Sequence, residues 1–141
     1  MKLSSTVFVL VFAAVTACSS MKSNETERET TQRFFDHAGD PIESFSYLGR
    51  LDRWRTLGRD RLVVWTALDK AYLLTVSGMC PDLESATKIG VTSKSGTDVS
   101  RGFDSVLLPN GQRCTISEIR PIDYEAMKKD ERDAENRVRG Y

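Results

Sequence analysis

Four groups of side chains in this 141-residue chain have types and spacings that could do chemistry. His37 is the only histidine, and it stands between Asp36 and Asp40 in Asp36-His-Ala-Gly-Asp-Pro41. Neighbouring carboxylates orient an imidazole and favour its charged form, so the trio has the makings of a general base or a small metal site. The same residues also spell a turn, because Gly39 and Pro41 are turn formers and Asp side chains bond local backbone. No nucleophile or second catalytic group accompanies His37, which favours the turn. Ser85-Ala-Thr-Lys88 has the spacing of a lysine-activated serine. Without the other elements of such a site, and in so short a chain, it reads as an ordinary helix end. Arg50, Arg53, Arg55, Arg59 and Arg61 surround Trp54, opposed only by Asp52 and Asp60. Arg50, Arg53, Trp54 and Arg55, with Tyr47 and Trp65 near them in sequence, form a candidate basic, aromatic binding surface. Guanidinium groups suit carboxylates and phosphates through bidentate pairing. The plainer reading is a solvated strand edge whose charges discourage aggregation. The fourth group is the cysteines: Cys18, Cys80 and Cys114.

Cys18 has a context of its own. Lys2, an apolar run over 7–15, and the small residues Thr16 and Ala17 are the parts of a secretory signal. The run is shorter than the roughly 20 residues that span a bilayer. Val15-Thr16-Ala17-Cys18 resembles a bacterial lipobox. That resemblance implies cleavage before Cys18, a thioether-linked diacylglycerol on its sulfur and, in Gram-negative bacteria, a further acyl chain on its amine. Two or three chains would hold the protein at a membrane essentially for good. Ser19, rather than Asp, follows Cys18, which by lipoprotein sorting implies the outer membrane, with the domain facing the periplasm. An ordinary signal with a free Cys18 is the rival reading.

Removing 1–17 leaves about 124 residues, enough for one domain. Twenty basic and twenty acidic side chains cancel, so no global field attracts nucleic acid, and none is expected as a partner. The expected partners are the membrane, through the lipid on Cys18, and an envelope protein or an anionic glycolipid. No cofactor is expected. With Cys18 taken by lipid, Cys80 and Cys114 remain, and an exported chain meets an oxidising compartment, so the pair reads as a disulfide. Two free thiols or half of a zinc site are the alternatives, although zinc needs about four ligands.

Residues 19–33 contain a single apolar side chain, Met21, and read as a tether that cannot offset the cost of ordering. From Phe34 the signals are mostly β. Strands are expected over 42–48, 62–66, 72–76, 88–92, 103–108 and 114–119, with Asp69-Lys70 turning one hairpin. Asn110-Gly111 predicts a two-residue type I′ hairpin, which sets Leu107 opposite Cys114 and puts Phe103 and Leu107 on the face that Cys114 joins. Pro81, Asp82 and Glu84 suit the start of a short helix over 80–86, with Leu83 and Ala86 facing the core. An ion pair from Asp104 to Arg113 or Arg120 is expected on the surface. The tail from Tyr124 is dense in i,i+4 charge pairs and reads as a marginal, solvated helix. The expected fold is α+β, mainly β: a small antiparallel sheet or half-barrel with one short helix, plus a charged C-terminal helix. The expected organisation is a signal peptide at 1–17, a flexible tether at 18–33, a β-rich domain at 34–123 and the charged tail at 124–141.

The blocks Arg33-Phe-Phe-Asp-His-Ala-Gly-Asp-Pro41, Leu57-Gly-Arg-Asp-Arg-Leu-Val-Val-Trp65, Ala71-Tyr-Leu-Leu74, Cys80-Pro-Asp-Leu83, Phe103-Asp-Ser-Val106 and Arg113-Cys-Thr-Ile-Ser-Glu-Ile119 resemble, in this order, an uncharacterised family of small Gram-negative lipoproteins. The resemblance covers about 33–123. It supports lipidation and the disulfide, and it implies no activity, ligand or catalytic residue. The expectation is therefore a lipid-anchored, non-enzymatic envelope module that binds or supports another component. The alternative is a small envelope hydrolase or metal-dependent enzyme using His37 with Asp36 or Asp40.

Overall fold

The computed structural model describes residues 19–140, with side chains from Thr26 onward. The expected signal peptide at 1–17 and Cys18 lie outside the described residues. The chain runs α1 (Ser19–Asp36), β1 (Ser44–Ser46), β2 (Arg53–Thr56), β3 (Arg61–Trp65), β4 (Ala71–Val76), a 3-10 turn (Pro81–Leu83), β5 (Gly90–Val91), β6 (Asp98–Ser100), β7 (Ser105–Leu107), β8 (Arg113–Ile122) and α2 (Tyr124–Arg139). Six strands form one curled antiparallel sheet in the order β2-β3-β4-β8-β7-β5, and β1 pairs with β6 in a second, small sheet. This is the mainly β, α+β half-barrel that the residue pattern predicts, with its charged C-terminal helix.

Both faces of the large sheet are covered, which explains why β3 lacks the alternation of a half-exposed strand. Leu62 and Val64 join one core with Leu74, Ile116, Ile119, Val99 and Leu83. Val63 and Trp65 join the other with Leu73, Ile122, Phe34 and Met127. The small sheet closes the first core, where the Phe45 ring stacks on Tyr72 at 4.4 Å between centroids. The two helices close the second. In β8 the register slips opposite Thr75 and Val76, which pair with Glu118 and Ile116 and leave Ser117 as an extra residue. That bulge lets Ile116 and Ile119, three apart, share one core, which a regular strand of period two forbids.

Four expectations are corrected. The stretch read as a tether is helical from Ser19. It is poor in apolar residues but has neither Gly nor Pro, and it continues directly into the buried Phe34. A helix nucleated at that packed end extends without a new nucleation cost. Its Met, Lys, Glu, Arg and Gln residues favour helix, and its Ser, Thr and Asn residues oppose it by only roughly tenths of a kcal/mol each. The first strand shrinks to Ser44–Ser46 and leaves the main sheet. Ile42 makes only an isolated bridge to Ile119.

The hairpin is the third correction. Val106, not Leu107, sits opposite Cys114. Pro109 holds a negative φ and suits position i+1 of a type I turn, closed by Gly111 N–H donating to the Leu108 carbonyl at 3.0 Å. Gly111, at φ 84, then supplies the left-handed third loop residue, and Leu108 and Gln112 form the last pair. The one-residue shift exchanges faces: Val106 and Leu108 are buried with Cys114, and Phe103 is exposed.

Asp104 is the fourth. It makes no ion pair among the described residues and is 1% exposed. Its carboxylate accepts from Thr92 Oγ1, Lys94 N and Ser100 N, each at 2.9 Å, and so knots the loop between β5 and β7. Arg120 pairs instead with Glu118 at 2.8 Å. The remaining expectations at this end hold in outline. Pro81 opens a 3-10 turn that buries Leu83, and Cys80 and Cys114 form a disulfide, both side chains buried. No helix among the described residues is long and apolar enough to cross a membrane.

Candidate functional site

The arginine and tryptophan residues singled out in the sequence do come together, but β2 divides them. In a strand, neighbours point to opposite faces. Arg53 and Arg55 therefore lie on the helix-covered side, and Trp54 packs against the opposite core. On that opposite side Arg50, Asp52, Trp54, Tyr47 and Ile89 line an open cleft of about 460 Å³. Tyr47 and Trp65, expected on one surface, belong to different cores.

On the helix side the site is an aromatic and cationic cleft of about 280 Å³ between α1, α2 and β2. Trp65 is its floor. Phe34 from α1 meets the Trp65 ring edge-on at 5.8 Å, and Tyr124 from α2 does so at 5.6 Å. The Arg53 guanidinium lies over the Trp65 ring at 4.8 Å and the Tyr124 ring at 5.4 Å, where the negative ring faces attract it. Its Nη2 also donates to the Leu68 carbonyl at 3.3 Å and the Tyr124 hydroxyl at 3.4 Å. The buried Trp65 Nε1 has no acceptor among the described residues. Glu131 at the cleft wall is held by Arg33 at 3.3 Å.

Arg55 joins this cleft to a second, larger groove of about 1000 Å³ between α1 and the β2–β3 hairpin. Arg59 and Arg61 are engaged elsewhere: Arg59 with Glu84 at 3.3 Å, and Arg61 beside Asp60 and over the Phe35 ring. Arg55 and Arg50 have no hydrogen-bond or ion-pair partner among the described residues.

His37 meets neither of its expected carboxylates. Its Nδ1 lies 2.8 Å from the Arg33 carbonyl and its Nε2 lies 2.9 Å from Asp130 of α2. Two acceptors at the two ring nitrogens suit the imidazolium. The Arg33 carbonyl first, and then Asp130, raise its pKa above the ordinary histidine value. Asp36 accepts from Gln32 instead, and Asp40 is exposed in the following bend. A shallow groove of about 480 Å³ passes His37 and Asp36 without reaching Asp40. His37 thus fastens the end of α1 to α2, where the sequence pattern showed a base or a turn. The described residues hold no cluster of three or more His, Cys, Asp or Glu that could bind a metal ion. Ser85 Oγ turns back to the Asp82 carbonyl at 3.4 Å rather than toward Lys88.

Phe34, Tyr124 and Met127 complete the cleft and were not legible as site residues. The signal lay in the tail: Asp123 caps α2 by accepting from Ala126 N at 3.0 Å, and Tyr124 and Met127, three apart, share the inward face.

The fold and cleft define a small disulfide-stapled β module with an aromatic and cationic edge. The chain matches the sequence model of a family of unknown function, DUF6491, over residues 1–138, and it belongs to that family. Neither a curated protein nor a solved structure matches it.

Proposed function

We propose that this chain is a lipid-anchored envelope protein whose domain binds or supports another envelope component without catalysing a reaction. In this reading Cys18 carries the acyl chains, the outer membrane holds them, and the domain faces the periplasm. The observation that carries it is the junction of anchor and fold. In sequence the lipobox-like Val15-Thr16-Ala17-Cys18 directly precedes the segment described as α1, and α1 packs on the domain through Phe34. α1 thus links that segment to the domain as a helix rather than a slack tether, its later turns lining the domain's clefts with Glu27, Thr30 and Phe34. The disulfide fits an oxidising compartment. The cleft at β2 supplies a binding surface, with an aromatic floor and an unengaged Arg55. The alternative, a hydrolase at His37, draws less support, because both ring nitrogens are occupied and its expected carboxylates lie elsewhere.

The test is metabolic labelling with palmitate of the chain expressed in a Gram-negative host. The parent should take up the label and lose residues 1–17, whereas Cys18→Ala should stay unlabelled and keep its apolar signal. An unlabelled parent would reject the anchor. For the binding role, a photocrosslinker at Glu27, on the groove wall, should capture an envelope component. Turnover of an envelope substrate by the purified chain, with no captured partner, would overturn the non-enzymatic reading.

A further inference from the structure

Edge strands carry a row of unpaired backbone groups, and β2 is the outermost strand of the large sheet. Its register with β3 identifies which groups are free. Leu57 N donates to the Arg61 carbonyl at 2.9 Å, which places that pair at a hydrogen-bonded position of the ladder. Arg55 and Val63, two positions further along the same register, are the next such pair. The alternation leaves the N–H and C=O of Trp54 and Thr56 directed away from β3. The larger groove, lined by Arg28 and Thr31 of α1 and by Arg55 and Thr56 of β2, runs beside this edge.

The groove's charges choose the occupant. Arg55 and Arg28 have no partner among the described residues, Glu84 is paired with Arg59, and Glu27 sits beside Arg28 on the α1 wall. A second copy of β2 would set arginine against arginine across the pair, and like charges directly opposite are destabilising. A strand with an acidic residue opposite the unengaged Arg55 gains there instead, and Arg53, held by Trp65, Tyr124 and Asp52, adds positive charge beside it.

We propose that β2 is the docking edge for an extended acidic segment of a partner protein, which adds to the sheet as a seventh strand. Backbone groups of Trp54 and Thr56 bond the incoming chain, and its carboxylates meet Arg55, with Arg53 beside it on the same face. Side chains at alternate positions, facing the opposite side, lie beside Trp54 and Thr56 and favour β-branched types. The motif is acidic residues at every second position, with Val, Ile or Thr between them. This is strand addition, in which main-chain bonds supply affinity and side chains at alternate positions supply selectivity. It rests on the binding role proposed above and names the partner's chemistry.

The experiment titrates the full chain in detergent with the blocked peptide Ac-Thr-Glu-Val-Glu-Val-Thr-amide, read by tryptophan fluorescence and amide hydrogen exchange. Binding should slow exchange at Trp54 and Thr56 and leave the opposite edge, Gly90 and Val91, unchanged. Arg55→Glu should weaken binding at least about tenfold, and a peptide with Lys in place of Glu should not bind. Absence of binding, equal binding of the lysine peptide, or binding without protection of Trp54 and Thr56 would overturn the proposal. If the Glu27 crosslinker captures a partner while the acidic peptide fails, strand addition is wrong and the binding role stands.

Discussion

His37 and Asp104 show how differently two polar residues are used. Asp104 is fully enclosed, and its carboxylate is matched by three donors, so it organises a loop rather than reaching a ligand. His37 is mostly covered, with 17% of its side chain exposed, and its role depends on pH. Because its pKa is raised in the fold, its stabilising contribution is complete below the ordinary value of 6.5. That contribution is lost as pH rises through the raised value. The stability difference between the parent and His37→Gln, from urea unfolding, should therefore be larger at about pH 5.5 than at about pH 8.5. A difference that is flat or grows with pH would remove the clasp to Asp130 from the account. The histidine and its carboxylate neighbours were visible in the sequence. One partner, the Arg33 carbonyl, is a helical turn away, but the carboxylate lies 93 residues away on α2, and local spacing carries no information about it.

At the scale of elements, turn chemistry decides register. Asn110-Gly111 marked the hairpin correctly, but Pro109 moved the turn by one residue, and with it the face on which Val106 and Leu108 lie. Gly111 is the element's critical position: a Cβ there meets nothing within 4 Å, yet φ 84 is a conformation that side chains resist. Gly111→Ala should cost about 1–2 kcal/mol in urea unfolding through backbone strain alone. Gly90→Ala, whose Cβ would lie 3.6 Å from Leu107 in ordinary contact, should change stability far less. Equal losses at the two positions would contradict this reading of the turn. The helices teach the complementary lesson. Propensity and charge pairing marked α2 as helical, but its docking depends on Met127 and Tyr124 meeting Trp65 and Phe34.

For the whole molecule, the Cys80–Cys114 link ties the 3-10 turn to the hairpin across 34 residues of separation. Closing a loop of that length stabilises by about 4 kcal/mol in the chain-entropy model. Reduced protein should unfold at a distinctly lower urea concentration than oxidised protein. An unchanged midpoint would mean the link adds nothing to a fold already complete. The layered arrangement also produces the candidate site. Sheet curl, α1 and α2 bring Phe34, Trp65, Tyr124 and Arg53 into one cleft, and leave β2 with a free edge beside it.

The amino-acid sequence by itself determined the class of fold, most strand positions and the disulfide pair. These follow from local properties: β-branched runs, turn residues and the number of cysteines left to pair. It also indicated a basic, aromatic segment near Trp54. Only the tertiary structure decided that β2 splits this segment between two faces and that α1 replaces a tether. It likewise decided that His37 serves α2 and that the buried Asp104 is a loop knot. Each of those outcomes depends on groups distant in sequence competing for the same buried volume and the same hydrogen bonds, and pattern along the chain does not record which of them wins.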